Sequence, residues 1–189
     1  MYLYQPCLLT LALYAWAFDG TPKGRRLRIW APVGLLFLSE WALCYERVEI
    51  YPAALLLPAL YGAGRARTVS WAEVLTAAIL GGLICWKVGD AWPLMPALTL
   101  LCSSLLLIPV MTVCRAREDR LLACALGSLL FELFACLREY MLFSFCVVRL
   151  GSREALSLGA AALCLYALSE QVIRALNRRK SRALPTEIE

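Results

Sequence analysis

The chain has 189 residues, is 61% hydrophobic with a mean hydropathy of +0.68, and carries a net charge of +5. A soluble domain of this size is nearer half apolar, so the composition excludes an ordinary soluble globule and points to helices in a bilayer. The sequence has no histidine, which excludes zinc and haem sites built on imidazole and the usual Ser-His or Cys-His catalytic pairs.

Seven apolar segments follow one another along the chain. The first, Tyr2–Phe18, imitates a secretory signal and even offers Ala15-x-Ala17. No Lys or Arg precedes it and a basic cluster follows, the reverse of a signal peptide, so it reads as a retained span. Ile29–Tyr45 comes next. Val48–Ala63 is short and holds Pro52 and Pro58; sixteen helical residues reach only about 24 Å, less than a typical hydrocarbon core. A full, kinked crossing is expected over a re-entrant hairpin, because the charge alternation described below requires it. Trp71–Val88, Trp92–Val113, Leu121–Val148 and Ala155–Leu176 complete the set. Short connections make consecutive helices antiparallel neighbours. The expected architecture is all-α: one polytopic transmembrane helix bundle over residues 1–176, then a basic, disordered cytoplasmic tail over 177–189.

Lys and Arg gather in alternate connections. Lys23 to Arg28, Arg65 and Arg67, Arg115 to Arg120, and Arg174 to Arg182 all fall on one side. The other side has Arg47, Lys87, Arg149 and Arg153. The positive-inside bias therefore puts the N-terminus outside and the C-terminus in the cytoplasm. Such clusters read as topology signals rather than as a nucleic-acid surface. Trp16, Trp30 and Trp71 fall near inner ends, and Trp41, Trp86 and Trp92 near outer ends, as amphipathic indoles favour. The spacings Ala77-x-x-x-Gly81, Ala78-x-x-x-Gly82 and Ala123-x-x-x-Gly127 offer faces for close helix approach. The nine cysteines include no C-x-x-C; scattered through apolar runs, they read as small packing residues.

"FELFACLREYM", residues 131–141, places three charges inside the sixth apolar segment. Charges at that depth are costly and rarely idle. Glu132 and Glu139 are seven apart, nearly on one helix face. Counted from Arg120, Glu132 lies about 18 Å in and Arg138 about 27 Å in. Arg138 and Glu139 read as interfacial charges that snorkel to the outer headgroups. Glu132 should face the bundle, protonated or hydrogen-bonded, either as a binding or proton site or as an interhelical hydrogen bond. Glu40, Ser103, Ser104, Ser128 and Tyr166 are its candidate partners. Glu40, a turn or two inside the outer boundary, is the second residue of interest. On this view Glu132→Gln preserves folding. Together Glu132, Glu40, Arg138 and Glu139 form the candidate intramembrane polar site.

The P-loop, G-x-S-x-G, H-E-x-x-H and GxGxxG contexts are all missing, and no internal repeat marks two transporter halves. No catalytic residue, cofactor or metal ligand is assigned. The expected function is that of a non-enzymatic component of the bilayer acting through a membrane-protein partner. The alternatives are a small-solute or ion carrier, or substrate-binding membrane subunit, using Glu132, and then an intramembrane enzyme. Three segments, "LPALYGAGRAR", "LLFELFACLREYM" and "ALSEQVIRALNRRK", resemble the YphA family of small multi-span membrane proteins from spore-forming Firmicutes. The similarity covers most of the length as a pattern rather than through an invariant motif. It implies a sporulation-associated protein of the bacterial cytoplasmic membrane, in the forespore, and supplies no catalytic residues.

The orientation is checked by cysteine accessibility in intact cells, after replacement of the native cysteines. A membrane-impermeant reagent is expected to label an engineered cysteine at Ser152 and not one at Ser181; the opposite pattern would invert the topology.

Overall fold

A computed structural model describes residues 3–18, 22–45, 48–62, 69–91, 96–142 and 148–183. Seven helices dominate it: α1 (Tyr4–Phe18), α2 (Pro22–Leu38), α3 (Pro52–Gly62), α4 (Trp71–Ala91), α5 (Pro96–Val113), α6 (Arg117–Leu142) and α7 (Arg153–Ala183). Three of them open on proline at Pro22, Pro52 and Pro96, where the fixed φ suits a first turn and the missing N–H costs nothing. Three helices are long and apolar enough to cross a membrane, over Trp71–Val88, Arg117–Leu142 and Arg153–Arg178. Ile29–Leu38 and Leu98–Val113 are shorter apolar helical stretches.

The sequence expectation of helix alone misses a small sheet. Strands β1 (Leu43–Tyr45) and β2 (Val48–Ile50) pair antiparallel, and β2 pairs parallel with β3 (Val148–Leu150). The second segment therefore stops at Leu38 as a helix, and the third begins as a strand. Helix α3 has only 11 residues, or about 16 Å, short of a hydrocarbon core by itself. The chain is described through Gly62 and again from Val69. It leaves the sheet at β2, and Ser70 sits at the opposite end, where its N–H donates to Asp119. Residues 63–68, on which the choice between a crossing and a hairpin turns, lie outside the described residues.

The same reasoning orders the other helices. The Tyr4 hydroxyl donates to Glu40 beside the sheet, at 3.2 Å, and Tyr14 accepts from Gln171 lower down, at 3.1 Å. Cys102 lies against Cys85, and at the far end of the bundle the Cys114 thiol points to the Glu73 carbonyl. The helices thus alternate in direction between a sheet end and a far end. The described basic residues Arg115, Arg117, Arg120 and Arg174 sit at the far end, each near a group from its neighbours. Glu46, Arg47, Arg65, Arg67, Trp92 and Cys146 lie outside the described residues, as do 184–189. The expected disordered tail is helical as far as Ala183, and no proline or glycine occurs between Asn177 and Ala183 to stop it.

Helix α7 is the axis of the bundle. It packs on α1, α3, α5 and α6, and from Ala155 to Cys164 every residue is buried. Small side chains permit this. A Cβ on Gly159 would meet Ser128 Oγ of α6 at 2.6 Å, so the two backbones approach closely there. The spacing of small residues on α4 and α6 serves the same purpose. A Cβ on Gly82 would fall 3.1 Å from the Gly127 carbonyl, Leu130 Cβ and Phe131 N. Large side chains on the other side of α4, such as Leu75, Ile79 and Leu83, are left exposed, as a lipid-facing surface requires.

Gly82→Val is expected to destabilise the protein in detergent by roughly 1–3 kcal/mol, the usual cost of overpacking. Gly34→Ala, whose added methyl group would meet nothing within 4 Å, should leave the melting temperature unchanged or slightly raised. Equal effects of the two substitutions would remove the close α4–α6 approach as a source of stability.

Candidate functional site at the sheet end

The segment "VRLGSREAL" builds the site. It runs as β3 through Val148–Leu150, turns at Gly151 and enters α7 at Arg153. Gly151 has φ +83°, and a Cβ there would lie 2.5 Å from the Tyr51 carbonyl; both facts demand glycine. Ser152 is the N-cap: its Oγ accepts from the Ala155 N–H at 3.3 Å. Capping by one hydroxyl still leaves the first N–H groups of the turn without acceptors.

Glu132 supplies them. It reaches across from α6 and is 6% exposed. One carboxyl oxygen accepts from the Gly151 N–H, and the other from the Ser152 N–H at 2.6 Å. The acidic group lies at the positive end of the α7 dipole. Sequence reasoning placed Glu132 correctly against the bundle but sought its partners among side chains. None of Glu40, Ser103, Ser104, Ser128 or Tyr166 is the partner; the Gly151 and Ser152 N–H groups are, with the Ser152 hydroxyl also within hydrogen-bonding reach. The available signal was the Gly-Ser pair before an apolar helix, which marks an N-terminus with donors to satisfy.

Glu40 reaches the same short segment from another side. It is not buried inside a helix but exposed in the turn after α2, because α2 ends at Leu38. Its carboxylate takes the Arg153 guanidinium at 2.7 Å and the Tyr4 hydroxyl at 3.2 Å. Ser39 Oγ donates to Tyr4 at 3.2 Å. Glu49 and Arg149, cross-strand partners in β2 and β3, form an ion pair at 3.3 Å. Tyr51 donates to Glu49 at 3.2 Å. The structure therefore brings Glu132 and Glu40 together on residues 151–153. Arg138 is partly buried on α6 and Glu139 is exposed, so the shared face of Glu132 and Glu139 does not carry both acids into the bundle.

Carboxylates act alike at the far end. Asp119 of α6, 4% exposed, accepts from the Ser70 N–H just before α4 at 3.4 Å. Glu73 of α4 accepts from the Arg115 N–H just before α6 at 3.1 Å. Each helix holds the start of the other. Glu170 of α7 takes Arg117 at 2.9 Å and Arg174 at 2.6 Å. Among the described residues, no group of three Cys, Asp or Glu side chains is placed to hold a metal ion. No protein-family model, curated sequence or solved structure matches the chain, so the resemblance to the YphA family rests on the three quoted segments.

The geometry reverses the expectation for Glu132→Gln. A glutamine keeps one acceptor and turns an NH2 group toward a buried N–H. Leaving such a donor unsatisfied costs about 1–3 kcal/mol. Both Glu132→Gln and Glu132→Leu are expected to lower the thermal midpoint in detergent, Leu at least as much as Gln. A wild-type midpoint for Gln would show that the second oxygen holds nothing.

Proposed function

We propose that the chain is a seven-pass component of the bacterial cytoplasmic membrane, N-terminus outside and C-terminus cytoplasmic, that works through membrane-protein partners rather than by catalysis. The observation that carries this reading is the use made of its buried acids. Glu132 and Asp119 each accept backbone N–H groups at the start of a neighbouring helix. They act as joints between helices, and their acceptor oxygens face the protein's own backbone. The alternation of helix direction between the two ends supports seven passes, and the basic residues at the far end support its cytoplasmic placement. The resemblance to the YphA family supports a role in sporulation, at the forespore membrane.

A carrier or substrate-binding subunit centred on Glu132 is the second reading, because a buried carboxylate can exchange partners for a proton or cation. Such an exchange would expose the first N–H groups of α7 in an apolar setting, each costing several kcal/mol. An intramembrane enzyme is a third class, and among the described residues no arrangement of nucleophile and base favours it.

Purification from native membranes in mild detergent separates these readings. A protein partner recovered in fixed stoichiometry is expected. A monomer with a co-purifying small solute, lost in Glu132→Gln, would replace assembly with transport.

A further inference from the structure

Helices α1 and α7 run parallel and touch at two levels one heptad apart. Cys7 meets Cys164, and Tyr14 meets Gln171. At the upper level the Cys164 thiol donates to the Cys7 carbonyl at 3.0 Å and lies within hydrogen-bonding reach of the Cys7 thiol itself. Cysteines read as isolated packing residues in the sequence are thus a dithiol joining two helices more than 150 positions apart in sequence. A second pair, Cys85 and Cys102, joins α4 to α5 in the same manner, with a 3.1 Å contact from thiol to carbonyl. The two pairs differ in access. Cys85 and Cys102 are both fully buried, whereas Cys7 is partly exposed beside the exposed Pro6 and Leu9 of α1. Cys7 therefore opens toward the surroundings of the bundle, and Cys164, 7% exposed, stands behind it.

We propose that Cys7 and Cys164 are a redox site, oxidised to an α1–α7 disulfide by a lipid-soluble two-electron oxidant of the quinone class. The two S–H bonds break and one S–S bond forms. The pair gives up two electrons and two protons, and the quinone takes both to become a quinol. Exchange with a thiol reductant restores the dithiol. Proximity favours the intramolecular bond, since both sulfurs are already held together by packing. The product fastens the first helix to the axial one covalently, beside the Tyr14–Gln171 hydrogen bond one heptad away. Cys85 and Cys102 provide an internal comparison, having equal proximity without access.

The test uses the full chain in isolated membranes, reduced, washed, and exposed to a fully substituted benzoquinone with a decyl tail. Free thiols are then blocked with N-ethylmaleimide in denaturant, and peptides are analysed by mass spectrometry without reduction. A Cys7–Cys164 linked peptide, two hydrogens lighter than the dithiol, is expected, together with alkylated Cys85 and Cys102. Cys7→Ser should abolish the link and leave Cys164 alkylated, and Cys164→Ser should do the reverse for Cys7. Recovery of both wild-type cysteines as alkylated thiols would overturn the proposal. So would a quinone–sulfur adduct in place of the disulfide, or a bridge from either cysteine to a different one.

Discussion

A helix that begins inside an apolar bundle starts with N–H groups that its own turns cannot accept. With lipid around it there is no water to take them, so the protein must supply acceptors at each such start. Three carboxylates do this here. Glu132 holds α7, Asp119 holds α4, and Glu73 holds the approach to α6. In every case the acid belongs to a different helix from the one it caps. An ordinary N-cap secures a helix to itself; these secure helices to each other, so secondary structure and packing become mutually dependent. The heights at which helices start are set by side chains two elements away.

Close packing around α7 follows from that arrangement. With its N-terminus drawn down to the level of Glu132, α7 passes between α1, α3, α5 and α6, where small residues allow close approach and Leu156, Leu158 and Leu163 fill the space between. "LSLGAAALC" fills that passage with Gly159 and three alanines. Ser103 of α5 points its hydroxyl at the carbonyls of Thr99 and Leu158, at 2.7 and 3.2 Å, so this buried polar group has an acceptor on either helix. Bulk is pushed to the periphery, where leucine and isoleucine side chains face outward.

Much of this was legible from hydropathy. All seven helices overlap an apolar segment, since burial in lipid or protein selects long apolar runs. The alanine–glycine spacings on α4 and α6 forecast their contact, because close approach leaves a mark in side-chain size. The burial of Glu132 was forecast by depth alone. What stayed hidden has a common cause. Strands of three residues, such as "VEI" and "VRL", continue adjoining apolar runs and cannot be told from helix ends by periodicity. Glu132 binds backbone N–H groups, which every residue but proline has, so they leave no mark beyond the Gly-Ser pair ahead of α7. The partnership of Cys7 with Cys164 depends on which helices are neighbours, and α1 with α7 is the most distant pairing that the chain offers.

The most buried helix is also the last in the chain, and this constrains how the protein is made. Synthesis proceeds from the N-terminus, so α1 to α6 are made before their common core element exists. Until α7 arrives, the groove that Ala155–Cys164 will occupy has no protein to fill it, and Glu132 has no helix start to hold. Strand β2 likewise waits about a hundred residues for β3, its parallel neighbour. Folding is therefore completed by a closing step, in which α7 docks beside α6 and converts a loosely packed set of helices into a packed one. A chain truncated before residue 151 would lack its axis rather than an appendage, and quality-control proteases would meet it as an unfinished bundle.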